Sequence, residues 1–80
     1  MGKVQRPKLP VSERALLQRI NRRLRAADER VLKARRRDPE IGDYYRIDFR
    51  RNFFVEGNVD LESTGREVGA LRPWEALEKE

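Results

Sequence analysis

Leu16, Leu17, Ile20, Leu24, Ala27 and Val31 recur at spacings of three and four, which draws one apolar stripe with a helical period. Ser12 stands just ahead of that stripe as a natural N-cap, and Val11 before it can staple onto Leu16 inside the first turns. Asp38-Pro39 supplies the stop, because the residue before proline avoids helical geometry. The pattern predicts a first helix over 12–36, with fraying or a break around Ala26 to Glu29 as its weak point. Arg35, Arg36 and Arg37 then fall in the last turn, where cations complement the helix dipole.

The period shortens to two at Tyr44. The stretch YYRIDFRRNFFVEGN, residues 44–58, holds five of the six aromatic residues and three arginines. It reads as a two-stranded hairpin, and its loop decides which side chains are core. A two-residue turn at Arg51-Asn52 sets Phe49 opposite Phe54 but Ile47 opposite Glu56. A three-residue loop, Arg50-Arg51-Asn52 with Asn52 left-handed, sets Phe49 opposite Phe53, Ile47 opposite Val55 and Tyr45 opposite Gly57. The second register gathers Tyr45, Ile47, Phe49, Phe53 and Val55 on one face, and one-sided burial fixes register, so it is preferred. Tyr44, Arg46, Asp48, Phe54 and Glu56 are left on the outer face.

Farther on, Asp60 caps a short helix, LESTGREV, in which Leu61, Gly65 and Val68 share a face and after which Gly69 supplies the stop. Gly65 costs about 1 kcal/mol against alanine in mid-helix, so close packing is expected there. Leu71, Trp74 and Leu77 follow, with Trp74 expected to close the edge of the core. Residues 1–10, with two prolines and three cations, read as a basic flexible arm, 11–77 as the folded domain and 78–80 as an acidic end. The architecture is α+β: a long N-terminal helix, a two-stranded antiparallel β-hairpin, a short second helix and a C-terminal tail. An 80-residue chain buries only about 60–65 % of its unfolded surface, so the core is thin and a homodimer would complete it naturally.

Composition narrows the chemistry. The chain has no cysteine and no histidine, which excludes disulfides, thiolate metal sites and the usual general base. No paired-carboxylate cluster suggests a metal, no apolar run approaches the length of a membrane span, and no glycine-rich phosphate loop occurs. The expectation is a non-enzymatic, cytoplasmic protein without cofactor. Charge is more telling. Residues 1–37 carry 13 Lys/Arg against 3 Asp/Glu, a net of +10, and residues 38–80 carry 6 against 11, a net of −5. So polar a molecule is built for a charged partner.

Placed on one long helix, Arg19, Arg22, Arg23, Arg30, Lys33, Arg36 and Arg37 lie away from the apolar stripe, where like charges repel unless something anionic relieves them. Arg46, Arg50 and Arg51 add cations from the hairpin, and Tyr44 and Phe54 on its outer face offer rings for stacking or for a protein interface. The sequence therefore favours a module binding nucleic acid, DNA or RNA, through phosphate contacts with little sequence specificity. The alternative is a small regulator or inhibitor docking on an acidic protein surface through its bipolar charge and exposed aromatics. In general character, though in no particular motif, such a chain is similar to the small accessory proteins of phages and bacterial mobile elements.

Overall fold

A computed structural model of the chain describes residues 8–36 and 38–78. Its elements run β1 (Leu9–Val11), α1 (Glu13–Leu24), β2 (Glu29–Lys33), β3 (Tyr44–Asp48), β4 (Phe53–Glu56), α2 (Leu61–Glu67) and β5 (Glu75–Leu77). The α+β class stands, but the order and number of elements differ from the sequence expectation. One sheet is three-stranded and antiparallel, in the order β2-β3-β4, and a second is a parallel pair of β1 and β5.

The first helix begins as its signals predict. Ser12 Oγ accepts from Ala15 N at 3.2 Å, and both Val11 and Leu16 lie in the core. It ends much earlier than residue 36. After Leu24 the chain makes one 3-10 turn, Arg25–Ala27, and Asp28 takes the left-handed conformation at φ 59°, which aspartate tolerates better than most residues. Val31 does reach the core, but from a strand. Its helical spacing from Leu24 is equally compatible with the inward position of β2, and five paired positions with β3 decide the matter, since a two-stranded hairpin is marginal in water and a third strand steadies it. Asn21 completes the arrangement. Its Nδ2 donates to Val31 O at 3.0 Å and its Oδ1 accepts from Val31 N at 2.7 Å, so the outer edge of β2 is satisfied by the helix lying alongside it.

The hairpin register is corrected as well. Asp48 Oδ1 accepts from both Arg50 N and Arg51 N, at 3.0 and 2.9 Å, which folds the chain into its turn one residue before the expected point. The loop is Phe49–Asn52, with Asn52 left-handed at φ 58° as expected, and Asp48 pairs with Phe53. An irregularity between Arg46 and Ile47 then shifts the pairing so that Ile47 faces Phe54 and Arg46 faces Glu56, leaving Val55 as the extra residue of a bulge. The inward face of β3 is also the reverse of the one expected, because the core and α1 lie against its Tyr44 side. Tyr44 is 8 % exposed and packs in the core beside Val31, whereas Phe49 and Phe53 are 45 % and 49 % exposed. Tyr45 is half-buried on the other side.

Apart from Tyr44 the core is aliphatic: Leu16, Ile20 and Leu24 from α1, Val31 from β2, Val11 and Val59, and Leu61, Ala70 and Leu71 around α2. Asp60 caps α2 through Ser63 N at 3.1 Å. Gly65 lies where the two helices meet, and a Cβ there would stand 2.9 Å from Leu16 Cδ1 and 3.3 Å from Leu71 Cβ, so the close approach inferred from its mid-helix position is real. Leu9 and Pro10, assigned above to a mobile arm, belong to β1, with Leu9 N donating to Trp74 O at 2.8 Å. Lys8 of that arm is exposed, and residues 1–7 lie outside the described residues. Trp74 does not close the core, being 55 % exposed.

Candidate functional site

Shortening the first helix redistributes the cations. Arg22 and Arg23 remain on its exposed side, Arg30 and Lys33 move to β2, and Arg36 moves to the connection between β2 and β3. Arg37 lies outside the described residues. Three predicted cations have local partners. Arg19 Nη1 donates to Glu75 Oε1 at 2.9 Å. Arg46, its side chain only 21 % exposed, stands between Glu56 at 3.0 Å and Glu29 at 3.6 Å. Arg50 reaches Asp28 at 3.5 Å near the hairpin tip, where Arg51 is exposed. Arg46 is thus a tie within the sheet, since its charge is neutralised on both sides. Tyr44, expected outside, is buried and donates its hydroxyl to Glu13 Oε2 at 3.0 Å. Burial first and that hydrogen bond second raise its pKa to about 12. Phe54 is exposed as expected and stacks beside Tyr45 with ring centroids 6.4 Å apart.

Two adjoining hollows gather Arg22, Arg23, Arg25 and Arg30, together with Arg19 and Arg72. The first, of about 740 Å³, lies between the second half of α1 and the start of β2 and is lined by Gln18, Asn21, Arg22, Arg25, Glu29, Arg30 and Phe49. The second, of about 580 Å³, is lined by Arg19, Arg22, Arg23, Gly69, Ala70 and Arg72. Arg22 lines both, so they form one track along the helix. Among the described residues the only carboxylate in either lining is Glu29, which already faces Arg46. Arg22, Arg23, Arg25 and Arg30 have no carboxylate partner among the described residues. With Arg19 and Arg72 they give the track a strongly positive potential.

The end of the track is built rigidly. Glu75, buried beneath Arg19, accepts from Arg72 N at 3.0 Å and from Arg19 at 2.9 Å. The Arg72 hydrogen bond first and the Arg19 contact after it hold its carboxyl below the usual glutamate range. Arg66 donates to the carbonyls of Arg72 and Glu75 at 3.4 and 3.0 Å, which fixes the Arg72–Glu75 turn. The Arg72 guanidinium lies 5.6 Å from the centroid of the Trp74 ring.

Lys33 and Arg36 are not part of this track. They rim a separate hollow of about 680 Å³ whose other lining includes Leu32, Arg35, Ile41, Tyr45 and Phe54. By register, Leu32, Tyr45, Ile47 and Phe54 share the face of the three-stranded sheet that α1 does not cover. Sequence reasoning missed Arg25, Arg72, Phe49 and Trp74 as surface groups. Arg25 was legible as the next cation three residues beyond Arg22. Phe49 was not, because its exposure depends on the turn that Asp48 imposes.

Among the described residues no group of three or more carboxylates could hold a metal ion, and no helix is long and apolar enough to cross a membrane. No family model, curated protein or solved structure matches the chain.

Proposed function

We propose that this chain is a non-enzymatic module that binds nucleic acid mainly through phosphate contacts, with little sequence specificity. One observation carries the reading: among the described residues, six arginines line two hollows joined at Arg22, and the single carboxylate in those linings is occupied by Arg46. These guanidinium groups are exposed and of one sign, and phosphates relieve their mutual repulsion with bidentate hydrogen bonds. The test is anisotropy of labelled DNA and RNA at 50 and 200 mM salt. If Arg22, Arg23, Arg25 and Arg30 each neutralise one phosphate, counterion release weakens binding by about 50- to 150-fold across that interval. Reversing charge at Arg22, Arg23 and Arg30 together abolishes binding while the circular dichroism spectrum is kept. Unchanged affinity in that variant removes the track from the account.

The uncovered face of the three-stranded sheet favours a second reading, a small regulator docking on an acidic protein segment with apolar anchors. Leu32, Tyr45 and Phe54 offer the apolar floor, and Lys33, Arg35 and Arg36 the complementary rim. An acidic peptide carrying leucine and phenylalanine should then bind the wild type, and Phe54→Ala should weaken it by about tenfold or more, the loss typical of an aromatic anchor.

A further inference from the structure

Phe49 and Trp74 belong to neither the core nor the sheet face just described. Phe49 lines the first hollow with Arg22, Arg25 and Arg30, and its ring is about half exposed although its backbone is fixed by donation from Phe49 N to Asp28 O at 2.9 Å. Trp74 stands beside Arg72 of the second hollow, also about half exposed, in the turn that Arg66 and Glu75 hold in place. One aromatic ring thus lines the first hollow and another stands beside Arg72 of the second, both on hydrogen-bonded backbone and open to solvent. A small domain with so thin a core gives up considerable burial by leaving both rings outside.

We infer that the polyanion taken by the track is a single-stranded nucleic acid, with phosphates along Arg22, Arg23 and Arg25 and bases stacked on Phe49 in the first hollow and on Trp74 beside the second. The inference rests on the phosphate-binding reading above and specifies its ligand. The argument is about which surfaces each polymer presents. A duplex hides its base faces inside the stack and shows only edges, phosphates and sugars. Phe49 has no hydrogen-bonding group with which to read an edge. A single strand presents free base faces of every sequence, and a cationic groove interleaved with aromatic platforms is the arrangement that holds such strands without sequence preference. Arg72 over Trp74 adds a guanidinium plane beside that ring, a second flat surface for a base. Between Arg19 and Arg25 the helix advances only about 9 Å, so the contact is with a short run of nucleotides.

Trp74 is the chain's only tryptophan, so the protein carries its own probe of stacking. Full-length protein is titrated with a single-stranded oligothymidylate, with a duplex of equal length and with inorganic polyphosphate, following tryptophan fluorescence and competition against the labelled single strand. The expected result is quenching by the single strand alone and binding at least about tenfold tighter than the duplex. Phe49→Ala should then weaken single-strand binding by about 5- to 150-fold, the loss of one base–aromatic stack, and leave polyphosphate binding unchanged. Phe49→Tyr, which keeps the ring, should retain the affinity, so that a folding defect in the alanine variant is told apart from a lost contact. Polyphosphate competing as well as the single strand, or a duplex binding equally tightly, overturns the single-strand inference and leaves the phosphate reading standing. No binding of any of the three overturns both.

Discussion

The seam between α1 and α2 and the β3–β4 hairpin use their apolar residues in opposite ways. At the seam the residues are aliphatic and fully enclosed: Leu16 and Ile20 have no exposed surface, and Gly65 lets the helices approach so closely that a methyl group would meet Leu16. The β3–β4 hairpin carries all three phenylalanines, and each keeps about half its surface in water. The protein therefore builds its core mainly from aliphatic side chains, with Tyr44 the one buried ring, and leaves its three phenylalanines and Trp74 largely in water. Aromatic rings lose little conformational entropy when they are covered, and they bury large areas, which makes them better spent on a partner than on a core whose shape leucine and isoleucine already fill.

That contrast is broken most sharply by truncation. Ile20→Ala leaves a cavity at the centre of the seam and should cost about 2–5 kcal/mol. The whole domain has about 4–12 kcal/mol to lose, so the melting midpoint should fall by at least about 10 °C. Phe54→Ala on the open sheet face should change stability by no more than about 0.5 kcal/mol, the usual range for surface sites. Thermal melts of the two variants side by side check the division. Similar shifts would mean that the sheet face is covered in solution, as by a second copy of the chain.

A smaller effect tests the joint between the two regions. The Asn21 side chain pairs with both backbone groups of Val31, so Asn21→Ala strands a donor and an acceptor at the edge of β2. The expected cost is about 1–3 kcal/mol, that of leaving such groups unsatisfied. Amide exchange at Val31 should accelerate more than exchange in α2, because the defect is confined to one edge. Uniform acceleration across the chain would show instead that seam and sheet unfold as one unit.

How far these regions could be read from sequence follows from what decides each. Helix signals are local: the Ser12 cap, the Val11–Leu16 staple, the Asp60 cap and the stop at Gly69 each depend on a few neighbouring residues, and all were legible. Sheet signals depend on distant pairing. Val31 fits a helical stripe and a strand equally well, and only the partner strand chooses between them. The hairpin loop depended on Asp48, whose carboxylate captured two backbone amides and moved the turn by one residue. That step put Phe49 in the loop, whereas Tyr44 was misplaced because the core and α1 lie against the face of β3 that carries it. For the site, the surplus of arginine was plain in the charge count. Which arginines stand free was not, because Glu75, Glu29 and Asp28 reach Arg19, Arg46 and Arg50 from other elements.

Tyr44 joins the two regions, since it lies on the inner face of the sheet and donates to Glu13 in the first turn of α1. Its pKa is raised from 10.0 to about 12, so folding favours the protonated phenol. The stabilisation is therefore complete below about pH 10 and is lost as pH rises towards 12, where the ionised ring would be buried beside a carboxylate. Tyr44→Phe removes both the hydrogen bond and the titration. At pH 7 it should cost only about 0.5–1.5 kcal/mol, because Glu13 is exposed and regains water. Between pH 10 and 12 the variant should lose less stability than the wild type, so that urea-unfolding curves of the two converge as pH rises. A gap that stays constant across that window would mean that the phenol already meets solvent, and that the sheet does not rest on α1 at this point.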